Sequence, residues 1–485
     1  MDATFSRTSI DKNNVQINAQ EAFDERKKAE KKLVRKIDLL LLPPLMTMYL
    51  LNYLDRQNIT SARLANIEAD LNLSTTQYQT VVSILFVGYI LMGVPSNLFL
   101  AKVSRPAWYM TGVMCVWGFL SAGLVNGFGG LLAIRFILGI IEAAFFPGAL
   151  FYLSCWYTHR ELASRTAILY MGSQMGNAWG GLLAAAILQL DGVHGIEGWR
   201  WLFIVEGVAT AGCAIAFAFI LPDFPSTARR FFTDEDKILA QLRLEEDSRQ
   251  ADIDNNDDGD KTTRWQGFLL TITDIKVWLV IAVLYLDFIA AAVVQFFPSV
   301  VNTLGFSRNI TLVCTAPPYL LCCVWLLVNG FHADKKKEHY WHVVVPLFFL
   351  TISNIIAVST MNTGARYFAM MLMPGGAYSA AIVILAWLSH IASRPAVKRA
   401  SALAFCNSVV NTPNVWCSYL YFNPPRYVVP FVINTIASGL AIVMATLLRM
   451  YLARQNKYIE KGEYEKLGRS GPTKTQLEQG FKYML

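Results

Sequence analysis

Charge is what this chain lacks most. Only 16% of its 485 residues are Asp, Glu, Lys or Arg, while 54% are apolar. A soluble protein of this length would need far more charge to cover its surface, so a soluble globular class is excluded. Cysteine is sparse and badly placed for chemistry: Cys115, Cys155, Cys213, Cys314, Cys322, Cys323, Cys406 and Cys417 all fall in or at the ends of apolar runs. No pair reads as a disulfide framework and none has metal-ligand spacing with His, which leaves them as small packing residues. His339 and His342 lie one helical turn apart without a cysteine pair beside them, so no metal site is expected there. A phosphate-cradling G-x-x-x-x-G-K-[ST] loop is missing, which disfavours ATP-driven chemistry. Residues 1–36 are polar and basic ("DERKKAEKKLVRK") and lack the short apolar core and small-residue cleavage site of a secretory signal.

What is present is hydrocarbon-length apolar sequence. A bilayer core about 30 Å thick needs roughly 20 apolar residues per helical span. Twelve runs qualify, near 36–56, 77–101, 107–125, 128–156, 163–190, 199–221, 277–302, 310–330, 342–360, 366–389, 400–422 and 427–448. The reading is an all-α membrane protein of 12 transmembrane helices in two six-helix bundles. Its segments are a 1–36 N-terminal tail, a 37–221 bundle, a 222–275 linker, a 276–448 bundle and a 449–485 C-terminal tail. The linker contains a helix-like stretch, "TDEDKILAQLRLEED", followed by the acidic "DIDNNDDGDK". If both tails are cytoplasmic, 35 of the 42 Lys and Arg fall on that side. Arg56, Arg63, Arg200, Arg308, Arg366 and Arg426 fall on the other, and Arg135 lies inside a span. That bias sets the orientation and accounts for the net charge of +7 as topology and lipid contact. It does not describe a nucleic-acid patch.

Three features concern how the spans pack and bend. In span 5, Gly172, Gly176 and Gly180 recur every fourth residue, opening a groove for another helix backbone. Pro43-Pro44, Pro147-Gly148, Pro317-Pro318 and Pro374-Gly375-Gly376 interrupt spans, which is tolerated where neighbours satisfy the freed backbone. The loop after span 8 keeps a Gly330-x-x-x-Asp334-Lys335 pattern, while its counterpart after span 2, "NLFLAKVSRPAW", lacks the acid. Both are short basic turns six spans apart, a mark of internal duplication.

The few charges inside the membrane carry the functional argument. A charge at mid-bilayer costs at least about 2.5–3.5 kcal/mol, so it should face a polar cavity or another charge. Asp55 and Arg56 end span 1. Arg135 and Glu142 lie seven residues apart in span 4, about two turns, which puts them on one face roughly 10 Å apart. This set can hold a carboxylate on Arg56 and Arg135, with Asp55 and Glu142 accepting protons. The alternative is a water-exposed end at Asp55–Arg56 and a structural ion pair between Arg135 and Glu142. Asp287, mid-span in span 7, is a possible second proton site. Glu206 is expected to cap or to pair with Arg200. Gln174, Asn177, Tyr285, Gln295, Asn407 and Asn411 are polar candidates to complete a site.

The stretches "YLLNYLDRQNITSARLANIEADLNLSTTQY", "FVGYILMGVPSNLFLAKV", "RFILGIIEAAFFPGALFYLSCWY" and "GWRWLFIVEGV" resemble the fungal major facilitator transporters. The branch they look like is the anion:cation symporters that include the allantoate permease family. The second-half motifs "FPSVVNTLGFS", "PPY" and "KRASALAFCN…PPRY" extend the likeness over nearly the whole chain. The resemblance implies two pseudo-symmetric bundles around a central site of alternating access, and import of a small organic anion with protons. It implies Asp55 and Glu142 as proton-coupling residues and Arg56 and Arg135 as substrate-binding ones. Gln174 and Asn411 are carried over as further site residues, and Gly330, Asp334 and Lys335 as the cytoplasmic gate motif. Asp287 has no counterpart in the family pattern.

The expected activity is therefore a proton-coupled symporter in the plasma membrane, acting as a monomer, with no cofactor beyond the coupling proton. An internal membrane such as the endoplasmic reticulum is the other location. Competing readings are an uncoupled facilitator or exporter, a non-transporting nutrient receptor of the same fold, and a membrane enzyme. The branch spans allantoate, nicotinate, pantothenate, biotin and sulfur compounds, and "NTPNVWCSYLY" leans the substrate toward a small monocarboxylate such as nicotinate.

Overall fold

A computed structural model describes residues 3–485 except 101–102, 104, 124–125, 229, 257–263, 393–395, 423, 468–470, 473–476 and 478–480. The side chains of 3–23, 94, 97–100, 159–160, 163, 248–256, 264, 334, 396 and 466 also lie outside the description. The Asp334 part of the gate motif and most of the acidic linker run therefore fall outside the described residues.

Each of the twelve apolar runs contains a helix. The first half holds α1 (Ala3–Arg63), α2 (Thr75–Leu100), α3 (Pro106–Ser121), α4 (Gly127–Ser154), α5 (His159–Ile187) and α6 (Gly198–Ile220). The second holds α7 (Ile275–Asn302), α8 (Arg308–Ala333), α9 (Tyr340–Ser359), α10 (Thr363–Ile391), α11 (Ala396–Val410) and α12 (Val428–Glu460). Eight of them (α1, α4, α6 to α10 and α12) can cross a membrane by length and composition alone. Of the other four, α3 has only 16 residues, α5 opens on His159, Arg160, Glu161 and Arg165, and α11 stops before Pro413.

The pairings repeat with a period of six. α1 packs on α5 and α6, α2 on α4, and α3 on α6; likewise α7 packs on α11 and α12, α8 on α10, and α9 on α12. This is the pseudo-symmetry of two copies of one bundle.

Local sequence explains the details. The α1 helix runs well past the expected 36–56, and Pro43 and Pro44 are absorbed within it without a break. By contrast α4 breaks at Ala143–Ala144, just ahead of Pro147, and α8 at Cys314–Thr315, just ahead of Pro317. Each proline lacks the N–H that a continuous helix would need. The glycine groove of α5 is filled by α1: a Cβ at Gly172 would stand 2.7 Å from the Met46 carbonyl, and one at Gly176 2.6 Å from that of Leu50. The linker helix Asp234–Asn256 docks on the termini side through Lys36–Asp236 at 2.7 Å, Arg26–Glu246 at 2.5 Å and Arg243–Glu161 at 2.5 Å.

Among the described residues, hydrogen bonds between the halves run from the centre to the end opposite the termini. They are Gln57 to Tyr319, Cys322 to Gln174, Gln79 to the Tyr421 carbonyl, Tyr419 to Thr80, and Arg308 to the Leu188 carbonyl.

Candidate functional site

The site begins on α1, where "NYLDRQN" places polar side chains on the surfaces packed against α3, α4 and α5. Asn52, Asp55 and Asn58 are buried, at 2%, 3% and 1% exposure. Adjacent residues on a helix point in different directions, and Asp55 and Arg56 do so here. Arg56 Nε donates to Glu142 Oε2 at 2.7 Å, with the glutamate side chain only 1% exposed. The same guanidinium lies over the rings of Tyr89, at 4.9 Å, and Tyr53, at 5.4 Å. Asp55 instead accepts a short hydrogen bond from Ser121 on α3 and lies within electrostatic reach of Glu142 and Arg135.

Arg135 and Glu142 share the buried face of α4, as their spacing predicts. Among the described residues they form no ion pair with each other, which corrects the expectation of a structural pair. Glu142 is taken by Arg56, while Arg135 lies over Phe203 at 5.5 Å, with Asp55 and Glu142 both in electrostatic reach. Arg135 also borders a small cavity with Ser121, Leu131, Trp199 and Phe203.

Much of the hydrogen-bonding capacity here is unused by the protein. Asp55 Oδ2, Glu142 Oε1, Arg135 Nη2 and Asn52 Nδ2 are buried without partners. Each such atom costs about 1–3 kcal/mol in a finished core. Their concentration between α1, α4 and α6 makes this the candidate site.

Glu206 departs from its expected role. Arg200 bonds Glu197 at 2.6 Å, whereas Glu206 turns inward beside Asn58 and within reach of Asp55. Its position on α6, two turns from Arg200, puts the two side chains at different depths. Gln174 is fully buried, donating to Ser173 at 3.2 Å and accepting from Cys322 of α8 at 3.8 Å, so it lies where the halves meet. Asn411 is not brought to the charged group: its hydrogen bonds run to Asn407 and Asn414 along its own segment. Asp287 is buried in α7, with Oδ1 unpartnered. Gly330 and the exposed Lys335 lie at the termini end of the second half.

Sequence reasoning missed Asn52, Gln57, Asn58, Ser121, Tyr53 and Tyr89. Gln57 donates to both Asn177 and Tyr319 at 3.4 Å and accepts from Thr60 at 2.9 Å. The "DRQN" run carried a signal for Gln57 and Asn58, since four polar residues in succession at the end of a span are unusual. Ser121 carried none. His342 bonds His332 at 2.7 Å and Glu338 at 3.0 Å, and no group of metal-holding side chains is found among the described residues.

Similar proteins agree on the frame. An uncharacterized transporter of Schizosaccharomyces pombe is 30% identical, over 88% of this chain and 85% of its own length. The major facilitator-type transporter hxnP of Emericella nidulans is 31% identical, over 89% and 88%. Among solved structures, an inward-facing, occupied bacterial homolog of the human lysosomal transporter Spinster superposes with a TM-score of 0.64. It is 18% identical and covers 84% of this chain and 96% of that one. A D-xylose-proton symporter superposes with a TM-score of 0.60 at 15% identity, covering 84% and 97%. Both are likenesses of fold. The family described as Major Facilitator Superfamily matches residues 45–413. With its duplicated bundles and charged centre, the chain belongs to that superfamily and is a membrane transporter, not an enzyme.

Proposed function

We propose that the chain imports a small organic anion together with protons, in the manner of the allantoate permease branch. The observation that carries this is the buried Arg56–Glu142 pair, with Arg135 and Asp55 beside it. An anion entering the site competes with Glu142 for Arg56. Losing that partner leaves Glu142 an uncompensated buried charge, which several kcal/mol oppose and proton uptake removes. Substrate and proton then load together. When the proton leaves, Glu142 reclaims Arg56 and the anion is released. Asp55 offers a second carboxylate and Arg135 a second cation to the same exchange.

The basic bias of the termini side favours a cytoplasmic placement of both tails. With the halves bonded at the opposite end, this conformation is then the inward-facing stage of alternating access. We assign the working unit as a monomer in the plasma membrane.

The test is uptake by cells expressing the chain at acidic outside pH, with and without a protonophore, using labelled nicotinate, allantoate, pantothenate, biotin and cysteine. Protonophore-sensitive accumulation of one compound is expected. Accumulation that ignores the protonophore would exclude coupling and leave a facilitator.

A further inference from the structure

The termini end of the second half holds a groove that is completed by a stretch of chain far from its helices in sequence. Trp387, in the last turns of α10, is fully buried, and its indole N–H donates to the Met484 carbonyl at 3.0 Å. Asn456 of α12 commits both ends of its side-chain amide to one residue. Its Nδ2 donates to the Tyr483 carbonyl at 2.8 Å, and its Oδ1 accepts from the Tyr483 N–H at 2.9 Å. The His339 N–H, in the turn before α9, donates to the main-chain oxygen of Leu485 at 2.8 Å.

The side chains follow the backbone. The Tyr483 ring is 5% exposed and joins the core of the second half, under the Lys276 ammonium of α7 at 5.2 Å. Phe481, whose ring stands 5.1 Å from that of Tyr483, and Leu485 pack against the same core. Lys482 pairs with Glu460 at 2.8 Å, but both side chains are more than half exposed, so this pair adds little. Residues 481–485 thus touch α7, α9, α10 and α12. Among the described residues their hydrogen bonds all end in the second half.

Two features make this a binding site. An amide that bonds the N–H and the C=O of one residue reads extended backbone as a neighbouring strand does, and a pocket for one side chain adds selectivity. The groove is also incomplete when empty. A buried indole N–H and a side-chain amide would lose their partners, and the Tyr483 ring would leave a cavity behind.

We propose that this end of the second half is a peptide-binding groove whose ligand is a short extended stretch of the same chain, residues 481–485. Docked, the segment is a brace that joins the ends of α7, α9, α10 and α12. It lies within one half, so it stays seated while the two halves move against each other. Recognition rests on a buried tyrosine and on main-chain hydrogen bonds, so the groove should accept the same five residues as a detached peptide.

The experiment deletes residues 481–485 from the otherwise full chain, purified in detergent, and follows its melting temperature. The deletion should lower it by several degrees. A synthetic peptide of residues 481–485 should restore most of the loss at about millimolar concentration, on the order of the effective concentration that a tether provides. The same peptide carrying Tyr483→Ala should bind at least about tenfold more weakly, because the buried ring is gone. An unchanged melting temperature after the deletion overturns the inference, as does a loss that both peptides relieve equally or that neither relieves. If the shortened chain does not fold, amide exchange in the intact chain decides. The Tyr483 amide should exchange at least about tenfold more slowly than in the free peptide, and Asn456→Ala should remove that protection. Exchange at the free-peptide rate, or protection that survives Asn456→Ala undiminished, overturns the inference.

Discussion

The two halves share a helix-pairing pattern but not a chemistry. In the first half Asp55, Arg56, Arg135, Glu142 and Glu206 are gathered between α1, α4 and α6, with several polar atoms unmatched. In the second half the buried ions sit near the ends. Asp274 holds Lys398 at 2.6 Å and Lys276 at 3.5 Å where α7 begins, and Arg366 donates to the Pro425 carbonyl at 3.1 Å at the opposite end. Among the described residues, Asp287 is the one buried ion at its middle. Duplication fixed the scaffold, and the divergence since then gathered most of the mid-bundle buried charges in one copy.

The largest break in that comparison comes from the Arg56–Glu142 pair. Removing one partner of a buried pair costs about 3–5 kcal/mol, whereas removing both with apolar replacements is often near neutral. Arg56→Leu is therefore expected to lower the melting temperature and abolish uptake. Arg56→Leu with Glu142→Leu should recover most of the stability and none of the transport. Glu142→Gln should lose proton-driven accumulation while sparing substrate exchange across the membrane. Normal concentrative uptake by that variant would remove Glu142 from the mechanism.

A smaller effect tests the packing that presents the site. Gly176→Val puts its side chain into the Leu50 carbonyl and the Tyr53 Cβ, at 2.6 and 2.9 Å from the added Cβ. Overpacking of this kind costs roughly 1–3 kcal/mol. Because α1 carries Arg56, uptake should fall along with thermal stability. Gly93, in a helix interior with open space around it, is the control position, and Gly93→Ala should raise the melting temperature slightly.

The smallest expected effect belongs to the second half. His339, in the turn before α9, is held down to about 4 from an ordinary 6.5, chiefly by burial, with His390 and His342 adding repulsion. The unfolded chain binds the proton first, so stability should decline as pH falls from about 6.5 toward 4. His339→Gln should flatten that part of a melting-temperature profile. An unchanged slope would assign the pH dependence to other groups.

Legibility followed the range of the interaction. The α5 groove was visible because three glycines at one spacing define a stripe on a helix whatever packs there. Burial of Asp55, Arg135 and Glu142 was visible because lipid excludes charge. The Glu206–Arg200 assignment failed because nearness in sequence stood in for nearness in space. Asn411 was named for its polarity within a span and by resemblance, and side-chain bonds within its own segment hold it.

By itself the sequence determined that this chain lives in a bilayer, how many helices it builds, and which rare charges must turn inward. Apolar length, glycine spacing and the cost of lipid-exposed charge are properties of single segments. Only the tertiary structure decided which charges meet. Arg56 and Glu142 are 86 residues apart, and their contact depends on how α1 and α4 are rotated and packed against each other. Periodicity assigns a residue to a face, but the partner across that face is set by the fold.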